Sequence, residues 1–334
     1  MKGLGWRQIA LVLASFVLVV ALLQAVGVTP VAALKELIVG SMGTKSALAQ
    51  TLKEITPLLI AGLAVFVALR AGLFNIGAEG QLLIGALAAS AVVLNVPNLF
   101  GTILAVLAGI VAGGLWALPA GLIKAYRGGH EVITTIMLNS IAGAVAFWFL
   151  SGPIKSKTLD GTTTDSIPDV TKIPNLYEDL PFQFNWVLVV AVAIVWLTAL
   201  WFRKSVAGYE LRATGANRKA AATAGVNVKR VTVRAMSVSG GLAGLAGAFQ
   251  VLAYEHRFYD GFSSGFGFDS LGVALLAGSS PWGVLPSAVL FGVLGTGTSS
   301  MQTLGVPNGL SGVLLGLLII CFAAFRYRRA KSHD

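Results

Sequence analysis

The stretch AGLFNIGAEGQLLIGALAAS, from Ala71 to Ser90, sets three polar residues, Asn75, Glu79 and Gln81, among glycines in a run that is otherwise apolar. The run belongs to a chain in which apolar residues make up 56% of 334 positions and charged residues 11%, with a mean hydropathy of +0.81. A soluble domain carries about a quarter charged residues, so this chain has too few charges to cover its surface. Lipid must cover most of it, and long apolar runs satisfy their backbone groups in lipid as helices. The sequence therefore predicts an all-α, polytopic membrane protein.

The first apolar run, 9–28, follows Lys2 and Arg7 and so looks like the start of a secretory signal. It is nevertheless about 20 residues long, enough to cross a ~30 Å hydrocarbon core, and no small-residue cleavage site closes it. We interpret it as a retained first span. The single cysteine, Cys321, excludes an internal disulfide, and the three histidines are too scattered for metal-ligand spacing. The composition thus predicts neither a disulfide nor a metal centre.

Ten apolar runs predict about ten transmembrane helices, which form a single membrane domain over residues 1–334. The runs lie near 8–28, 51–69, 73–96, 99–122, 131–151, 186–202, 233–254, 264–280, 283–301 and 308–325. The eighth run is short and rich in glycine. An even number of spans places both termini on the same side of the membrane.

The distribution of basic residues supports this count. Cytoplasmic loops carry an excess of Lys and Arg, and if both termini are cytoplasmic the inside segments hold 17 of the 24. The segment 152–185, with four prolines and five acidic residues, then becomes an external loop of irregular structure, and 203–234 becomes a cytoplasmic loop. Orientation in the membrane explains the basic clusters without a nucleic-acid partner.

The 203–234 loop is longer than a connection between two spans requires. Its residues favour a helix over 209–224, broken at Gly215, with three consecutive alanines forming a smooth face and Gly225 capping the end. One interpretation is a basic loop that only follows the orientation rule. The other is a surface helix that docks into a groove on another protein.

Three stretches carry a resemblance to a known family. ELRATGANRKAAATAGVNVKRV, in the 203–234 loop, resembles the coupling-loop motif by which ABC importer permeases contact their ATPase. Its form resembles the branch that handles branched-chain amino acids, ribose-type sugars and nucleosides. Within that branch, GLFNIGAEGQLLIGA and SVSGGLAGLAGAFQVL resemble the nucleoside permeases. The resemblance covers the chain from about Pro57 onward, and the glycines of SGGLAGLAGA also predict a face for close helix packing.

This resemblance implies the permease subunit of an ATP-driven ABC importer for nucleosides, in the cytoplasmic (inner) membrane of a bacterium, with no catalytic residue or cofactor of its own. ATP and Mg would be bound by a separate ATPase subunit, and the sequence lacks a G-x-x-x-x-G-K-[ST] motif. The other implied partners are a second, related permease subunit, an external substrate-binding lipoprotein or periplasmic protein, and membrane lipid. The residues implied in ATPase coupling are Glu210, Arg212, Ala213, Gly215, Asn217, Ala220, Ala221 and Gly225.

The polar residues of the opening stretch have two competing roles. Helical rise places Glu79 about 10 Å into the membrane from an entry near Gly72, where a carboxylate must face protein or a water-filled cavity. These side chains either hydrogen-bond freed backbone groups and hold neighbouring helices, or line a pathway and contact the hydroxyls and base edges of the substrate. Aromatic residues nearby either stack against a base or pack in the core. The candidate pathway residues are Phe74, Asn75, Glu79, Gln81, Asn139, Phe266, Phe268 and Asp269.

The segment Ser263–Ser280, around Asp269, has the same ingredients as the Glu79 segment: aromatic residues, glycines, one acid and then a small-residue apolar run. In the ten-span arrangement the two segments enter from opposite sides. This predicts an inverted repeat that relates spans two to five to spans seven to ten. Broken helices of the two halves would then meet near the midplane, as in many transporters.

Two other functions remain open. A simple-sugar (ribose-type) permease of the same ABC branch is the nearest. An ion-coupled secondary transporter, in which Glu79 or Asp269 carries a proton, belongs to a different class. The 203–234 loop favours the ABC importer, because a proton-driven carrier does not need it.

Overall fold

The computed structural model describes residues 6–176, 185–263 and 265–307, together with 312–313 and 316–317. Within these residues the backbone is helical or irregular, and β-pairing is limited to isolated bridges. The all-α prediction is therefore confirmed. The chain divides into two compact units, the first made of Met1–Ile55, Glu178–Gln183 and Val289–Asp334 and the second of Thr56–Tyr177 and Phe184–Ala288.

The described residues form twelve α-helices. They are α1 (Trp6–Ala25), α2 (Pro30–Ile38), α3 (Lys45–Arg70), α4 (Ala78–Asn95), α5 (Leu99–Leu122), α6 (Glu131–Ser151), α7 (Trp186–Lys204), α8 (Val206–Ala216), α9 (Arg218–Thr223), α10 (Val228–Phe249), α11 (Phe266–Ala277) and α12 (Val284–Ser300). α5 and α10 each continue into a π-helical turn, Ile123–Arg127 and Gln250–Glu255 respectively.

Seven helices in the described part of the chain are long and apolar enough to cross a membrane, and the number rises to eight if α1 and α2 count as one bent span. That pair bends by 101° between Phe16–Ala25 and Pro30–Gly43. These helices make the chain a multi-pass membrane protein. The side on which each terminus lies stays a prediction.

The predicted count of ten spans is not confirmed. The eighth predicted span corresponds to α11, whose 12 residues rise about 18 Å, too little to cross a ~30 Å core. Most of the tenth predicted span, 308–325, lies outside the described residues. The inverted repeat is not confirmed either, since it assumed that α11 is a full span.

In the second unit α4, α5 and α10 pack backbone against backbone. A Cβ atom added to Gly85 would lie 2.3 Å from the Cα of Gly244, and one added to Gly244 would lie 2.2 Å from the carbonyl oxygen of Gly109. A Cβ on Gly247 would lie 2.0 Å from the carbonyl oxygen of Leu82, near the start of α4. Only glycine fits at such distances, so the packing face predicted in α10 is confirmed, and it fixes the N-terminal half of α4.

The first unit has a small apolar core of its own. It consists of Leu23, Val28, Ala33, Met301 and Val306, all of which are buried. The predicted pathway and coupling residues all belong to the second unit. The candidate site therefore lies within that unit.

Candidate functional site

The opening stretch of the sequence is a break between two helices. α3 ends at Arg70, the chain turns at Gly72, whose φ is +73°, and α4 begins only at Ala78 with Gly77 as its N-cap. A positive φ suits glycine and strains other residues. Glu79 therefore lies in the first turn of α4, and the expectation that a helix from Gly72 carries it about 10 Å inward is wrong. The depth of the break in the membrane stays a prediction.

The amides of Asn75 and Gln81 form one buried network with Ser239 of α10. Asn75 is fully buried, and its Nδ2 donates to Gln81 Oε1 and to Ser239 Oγ, both at 2.8 Å. Its Oδ1 accepts from Gln81 Nε2 at 3.1 Å and from the N–H of Gly77 at 3.0 Å. Ser239 Oγ donates in turn to the carbonyl oxygen of Ala64 at 2.6 Å. The hydrogen-bonding capacity of Asn75 is thus used inside the protein, as the structural role requires.

Asn139 of α6 caps α4 from another helix. Its Oδ1 accepts from the N–H of Gly80 at 2.9 Å, and its Nδ2 donates to the carbonyl oxygen of Ile76 at 2.9 Å. Gly80 carries one of the N–H groups at the start of α4 that have no intrahelical partner. Asn139 satisfies this group as an N-cap side chain would, because the N-cap residue Gly77 has no side chain.

Glu79 joins the start of α4 to the start of α11. Its Oε2 accepts a hydrogen bond from the N–H of Gly267 at 2.7 Å. The backbones also touch, because a Cβ on Gly267 would lie 2.2 Å from the backbone nitrogen of Glu79. α11 begins at Phe266, directly after Gly265 with a φ of +93°. The carboxylate thus lies at two helix N-termini, where the partial positive charges of both helices favour it.

Asp269 lies in the first turn of α11, near enough to Glu79 for the two carboxylates to interact as like charges. Phe266 is 6% exposed, whereas Phe74 and Phe268 are 46% and 53% exposed. The predicted pathway residues therefore divide into two groups. Asn75, Gln81 and Phe266 are buried, whereas the other five residues, Asn139, Glu79, Asp269, Phe74 and Phe268, are at least partly exposed.

The segment predicted as an irregular loop over 152–185 is held by the residues that precede α11. The N–H of Thr164 donates to the carbonyl oxygen of Phe258 at 2.8 Å, and the N–H of Phe258 donates back to Thr164 Oγ1 at 3.0 Å. The N–H of Asp260 donates to the carbonyl oxygen of Thr162 at 2.9 Å. The described part of this segment is irregular as predicted, and these bonds attach it to the chain that leads into α11.

One acidic residue of this segment anchors it internally. The hydroxyls of Ser156 and Thr158 both donate to Asp165 Oδ1. Hydrogen bonds from these two hydroxyls, Ser156 first, favour the ionised form and hold the pKa of the Asp165 carboxyl below its usual range. The acidic residues of the loop are therefore not all free for an external partner, since Asp165 is engaged locally.

The helix predicted over 209–224 is present as two shorter helices, α8 and α9. The break falls at Asn217 and not at Gly215, so that prediction is wrong. Asn217 Oδ1 accepts from two N–H groups in the first turn of α9, both at 3.0 Å, and is therefore the N-cap of that helix. Gly225, with a φ of +87°, follows the end of α9 as predicted.

The surface of this loop differs from the smooth alanine face that was predicted. Ala221 is buried, whereas its neighbours Ala220 and Ala222 are exposed. The half-buried members of the predicted coupling set are Glu210, Arg212 and Ala213, and its exposed members are Gly215, Asn217, Ala220 and Gly225. α8 and α9 thus present a discontinuous surface in which the inner side of α9 packs against the protein.

Over residues 47–323 the chain matches the family described as the branched-chain amino acid transport system / permease component. The chain belongs to this permease family. The matched region of the permease includes both the break before α4 and the helices α8 and α9. The predicted family is therefore confirmed over most of the chain.

Named relatives of this permease are ABC transporter permeases. The nucleoside ABC transporter permease protein NupB of Lactococcus lactis is 32% identical over 324 residues, which cover 92% of this chain and 87% of that protein. The guanosine ABC transporter permease protein NupP of Bacillus subtilis is 36% identical over 82% of this chain and 80% of its own. The glucose ABC transporter permease protein of Haloferax volcanii is 35% identical over 89% and 81%, respectively. No solved structure matches the permease.

Each of those three organisms also holds a second, more distant relative of this permease. The nucleoside ABC transporter permease protein NupC of Lactococcus lactis and the guanosine ABC transporter permease protein NupQ of Bacillus subtilis are each 27% identical to it. Each organism thus has two related permeases with names of the same kind.

Sequence reasoning missed two residues of the permease site, Ser239 and Gly267. Ser239 lies in the SVSGGLAGLAGAFQVL stretch, whose small residues were assigned to packing alone. A hydroxyl within such a face is the signal that was available, since it must find a partner when the face is buried. Gly267 contributes only a backbone N–H, which no side-chain pattern reveals.

Proposed function

We propose that this permease is the membrane subunit of an ATP-driven ABC importer that moves nucleosides. The observation that carries the proposal is the similarity to NupB and NupP over 92% and 82% of this chain. Their names assign nucleosides to the first and guanosine to the second. The family itself covers permease components for a wider range of substrates, so the substrate class rests on these relatives.

The partly exposed side chains at the starts of α4 and α11 suit a nucleoside. A nucleoside combines a flat aromatic base with a ribose that carries hydroxyl groups. Phe74 and Phe268 offer exposed rings on which a base stacks, and Glu79 and Asp269 offer oxygen atoms that accept hydrogen bonds from ribose hydroxyls. In this proposal these four side chains line the pathway, while the amides of Asn75 and Asn139 hold the backbone around it.

The permease supplies no ATP site in this proposal and works with partners. A separate ATPase binds ATP and Mg and contacts the 203–234 loop, whose exposed basic residues include Lys219, Lys229 and Arg230. A second, related permease completes the pathway, which the pairs NupB with NupC and NupP with NupQ favour. An external binding lipoprotein or periplasmic protein delivers the substrate. Both termini then face the cytoplasm of a bacterium, and the helices lie in its inner membrane.

A sugar is the second candidate substrate. The glucose permease of Haloferax volcanii is 35% identical to this chain over 89% of its length, as similar as the nucleoside permeases. The hydroxyl-accepting carboxylates suit a sugar as well as a ribose. The exposed aromatic rings favour the nucleoside, because a base offers a full π-face for stacking.

The test is uptake of labelled uridine by cells that carry the permease with its neighbouring transporter genes. We expect uptake that unlabelled adenosine inhibits and that ribose, glucose and leucine do not. Uptake of glucose or ribose without uridine would overturn the substrate proposal. Uptake that survives an inactivated ATPase but stops when a protonophore collapses the proton gradient would identify an ion-coupled carrier instead.

A further inference from the structure

The end of α8 touches the break that precedes α4. A Cβ added to Gly215 would lie 2.1 Å from the carbonyl oxygen of Arg70, the last residue of α3. A Cβ added to Gly72, inside the break, would lie 3.4 Å from the Cα of Gly215. The two segments therefore meet backbone to backbone with no side chain between them. We refer to this contact of Gly215 with Arg70–Gly72 as the joint.

Polar groups around the joint are incompletely paired. Thr214, next to Gly215, is fully buried, and its Oγ1 has no hydrogen-bond partner within the described part of the chain. The buried Nε of Arg70 likewise has none among the described residues. Arg70 is also close enough to Arg212 of α8 for their like charges to repel. Leaving a buried polar group unpaired costs free energy, so an arrangement of the joint that pairs these groups would gain that free energy.

The break connects the joint to the candidate pathway over a few residues. Gly72 begins the turn, Asn75 lies three residues later, and Glu79 follows in the first turn of α4. Asn139 and the Asn75 network hold the far end of the turn against α6 and α10. A displacement of α8 therefore moves one end of the break while its other end stays fixed. The turn at Gly72 must then change shape, and with it the position of Glu79.

α8 is also held at its other end. The N–H of Gly208 donates to Ser205 Oγ at 3.0 Å in the first turn of α8, and a Cβ on Gly208 would lie 2.5 Å from the carbonyl oxygen of Trp201 in α7. The guanidinium of Arg218, at the start of α9, donates to Thr232 Oγ1 of α10 at 2.9 Å. The loop thus contacts α7 and α10 as well as the break, and the joint is where it meets the backbone of the break itself.

We propose that the joint of Gly215 with Arg70–Gly72 transmits movement of the α8–α9 loop to the start of α4, so that Gly215 is a coupling residue although it contacts neither substrate nor nucleotide. The proposal rests on the proposed function, because it takes the 203–234 loop as the segment that the ATPase moves. It differs from coupling through the tilt of the attached spans α7 and α10. Its direct consequence is that a change at the joint separates ATP hydrolysis from transport.

The first test is Gly215→Ala in the complete transporter, purified with its ATPase and binding protein and reconstituted in vesicles. The added methyl pushes α8 away from Arg70. We expect substrate uptake per ATP hydrolysed to fall at least fivefold, while the ATPase still co-purifies and hydrolyses ATP. The matched control is Gly143→Ala in α6, where an added Cβ would meet no described atom within 4 Å apart from its chain neighbours and its own helix backbone. It should leave the ratio unchanged.

A second variant changes the joint without adding bulk, so its effect on uptake cannot come from a steric clash that impairs folding. Thr214→Val removes the unpaired hydroxyl at nearly constant shape, which favours the present arrangement of the joint. We expect an unchanged or higher melting temperature and slower uptake, whereas Thr214→Ser, which keeps the hydroxyl, should retain uptake.

The outcomes separate this inference from the proposed function. If the unmodified transporter takes up nucleosides and Gly215→Ala keeps the uptake per ATP of Gly143→Ala, the joint does not transmit coupling. Loss of the ATPase from purified Gly215→Ala would also overturn the inference, since it would make Gly215 a docking residue. If the unmodified transporter takes up a sugar, the nucleoside proposal fails while the joint is tested on that sugar by the same ratio.

Discussion

The carboxylate of Glu79 accepts a hydrogen bond of 2.7 Å from the N–H of Gly267, so one side chain links the N-terminus of α4 to that of α11. The two helix starts are 188 residues apart in the sequence. Each helix start would repel the other through its partial positive charge, and a carboxylate between them offsets that repulsion. The charge of Glu79 should therefore contribute to the stability of the fold, and this contribution can be measured separately from transport.

Replacing Glu79 by glutamine keeps the shape of the side chain and removes its charge. The amide oxygen still accepts from Gly267, but a neutral hydrogen bond contributes less than a charged one, so we expect Glu79→Gln to destabilise the permease by about 1 kcal/mol. The melting temperature of the purified permease in detergent measures this. An unchanged melting temperature would show that the charge contributes nothing at this junction.

Replacing Asp269 by asparagine should act in the opposite direction. Its carboxylate repels that of Glu79, so Asp269→Asn relieves a like-charge interaction in the same junction. We expect the melting temperature to stay the same or rise, whereas uptake falls if Asp269 accepts hydrogen bonds from substrate hydroxyls. A drop in stability as large as that of Glu79→Gln would instead mean that Asp269 holds the fold.

Asn139 should contribute more to the free energy of unfolding than an asparagine in an exposed position. Asn139→Ala leaves the N–H of Gly80 and the carbonyl oxygen of Ile76 without partners, and we expect a loss of about 1–2 kcal/mol. The matched control is Asn95→Ala at the other end of α4, where Nδ2 donates to Ala91 in an exposed position. Denaturant titration of both variants should give a loss only for Asn139→Ala, and equal losses would contradict the trans-capping role.

Ser239 should behave as part of the Asn75 network. Ser239→Ala leaves one buried hydrogen of Asn75 Nδ2 without an acceptor, at a cost of about 1–3 kcal/mol. Ser237→Ala, two residues earlier in α10, is the control and should change stability by less than about 0.5 kcal/mol. In a double-mutant cycle with Gln81→Ala, a coupling energy near zero would show that the amides and the hydroxyl do not act together.

Helices whose ends coincide with the ends of an apolar run could be predicted closely from the sequence. The predicted spans 99–122 and 131–151 have the bounds of α5 and α6, since hydropathy and chain length alone decide such helices. The segment at α11 could not be predicted in the same way. Its composition is that of a span, but the helix begins only at Phe266, after Gly265, and ends at Ala277.

Tertiary contacts decided the features of the candidate site that sequence reasoning got wrong. Gly215 is flexible enough to break a helix, but here its lack of a side chain allows the close backbone contact with Arg70. The break lies instead at Asn217, because the side chain of Asn217 caps α9. The polar residues around Glu79 stay predicted pathway residues. Their hydrogen-bond partners include Ser239 for Asn75 and Gly267 for Glu79. These partners lie far along the chain, so a local sequence pattern could not identify them.

The glycine packing of α4, α5 and α10 also determines how the gene tolerates random mutation. Glycine is the smallest residue, so every replacement of Gly244 adds a Cβ atom, which would lie 2.2 Å from the carbonyl oxygen of Gly109. In a deep mutational scan of this permease, variants at these packed glycines should therefore be the most strongly depleted, whether the replacement is conservative or radical. A heat map of fitness would consequently be most intense at positions where two helix backbones touch.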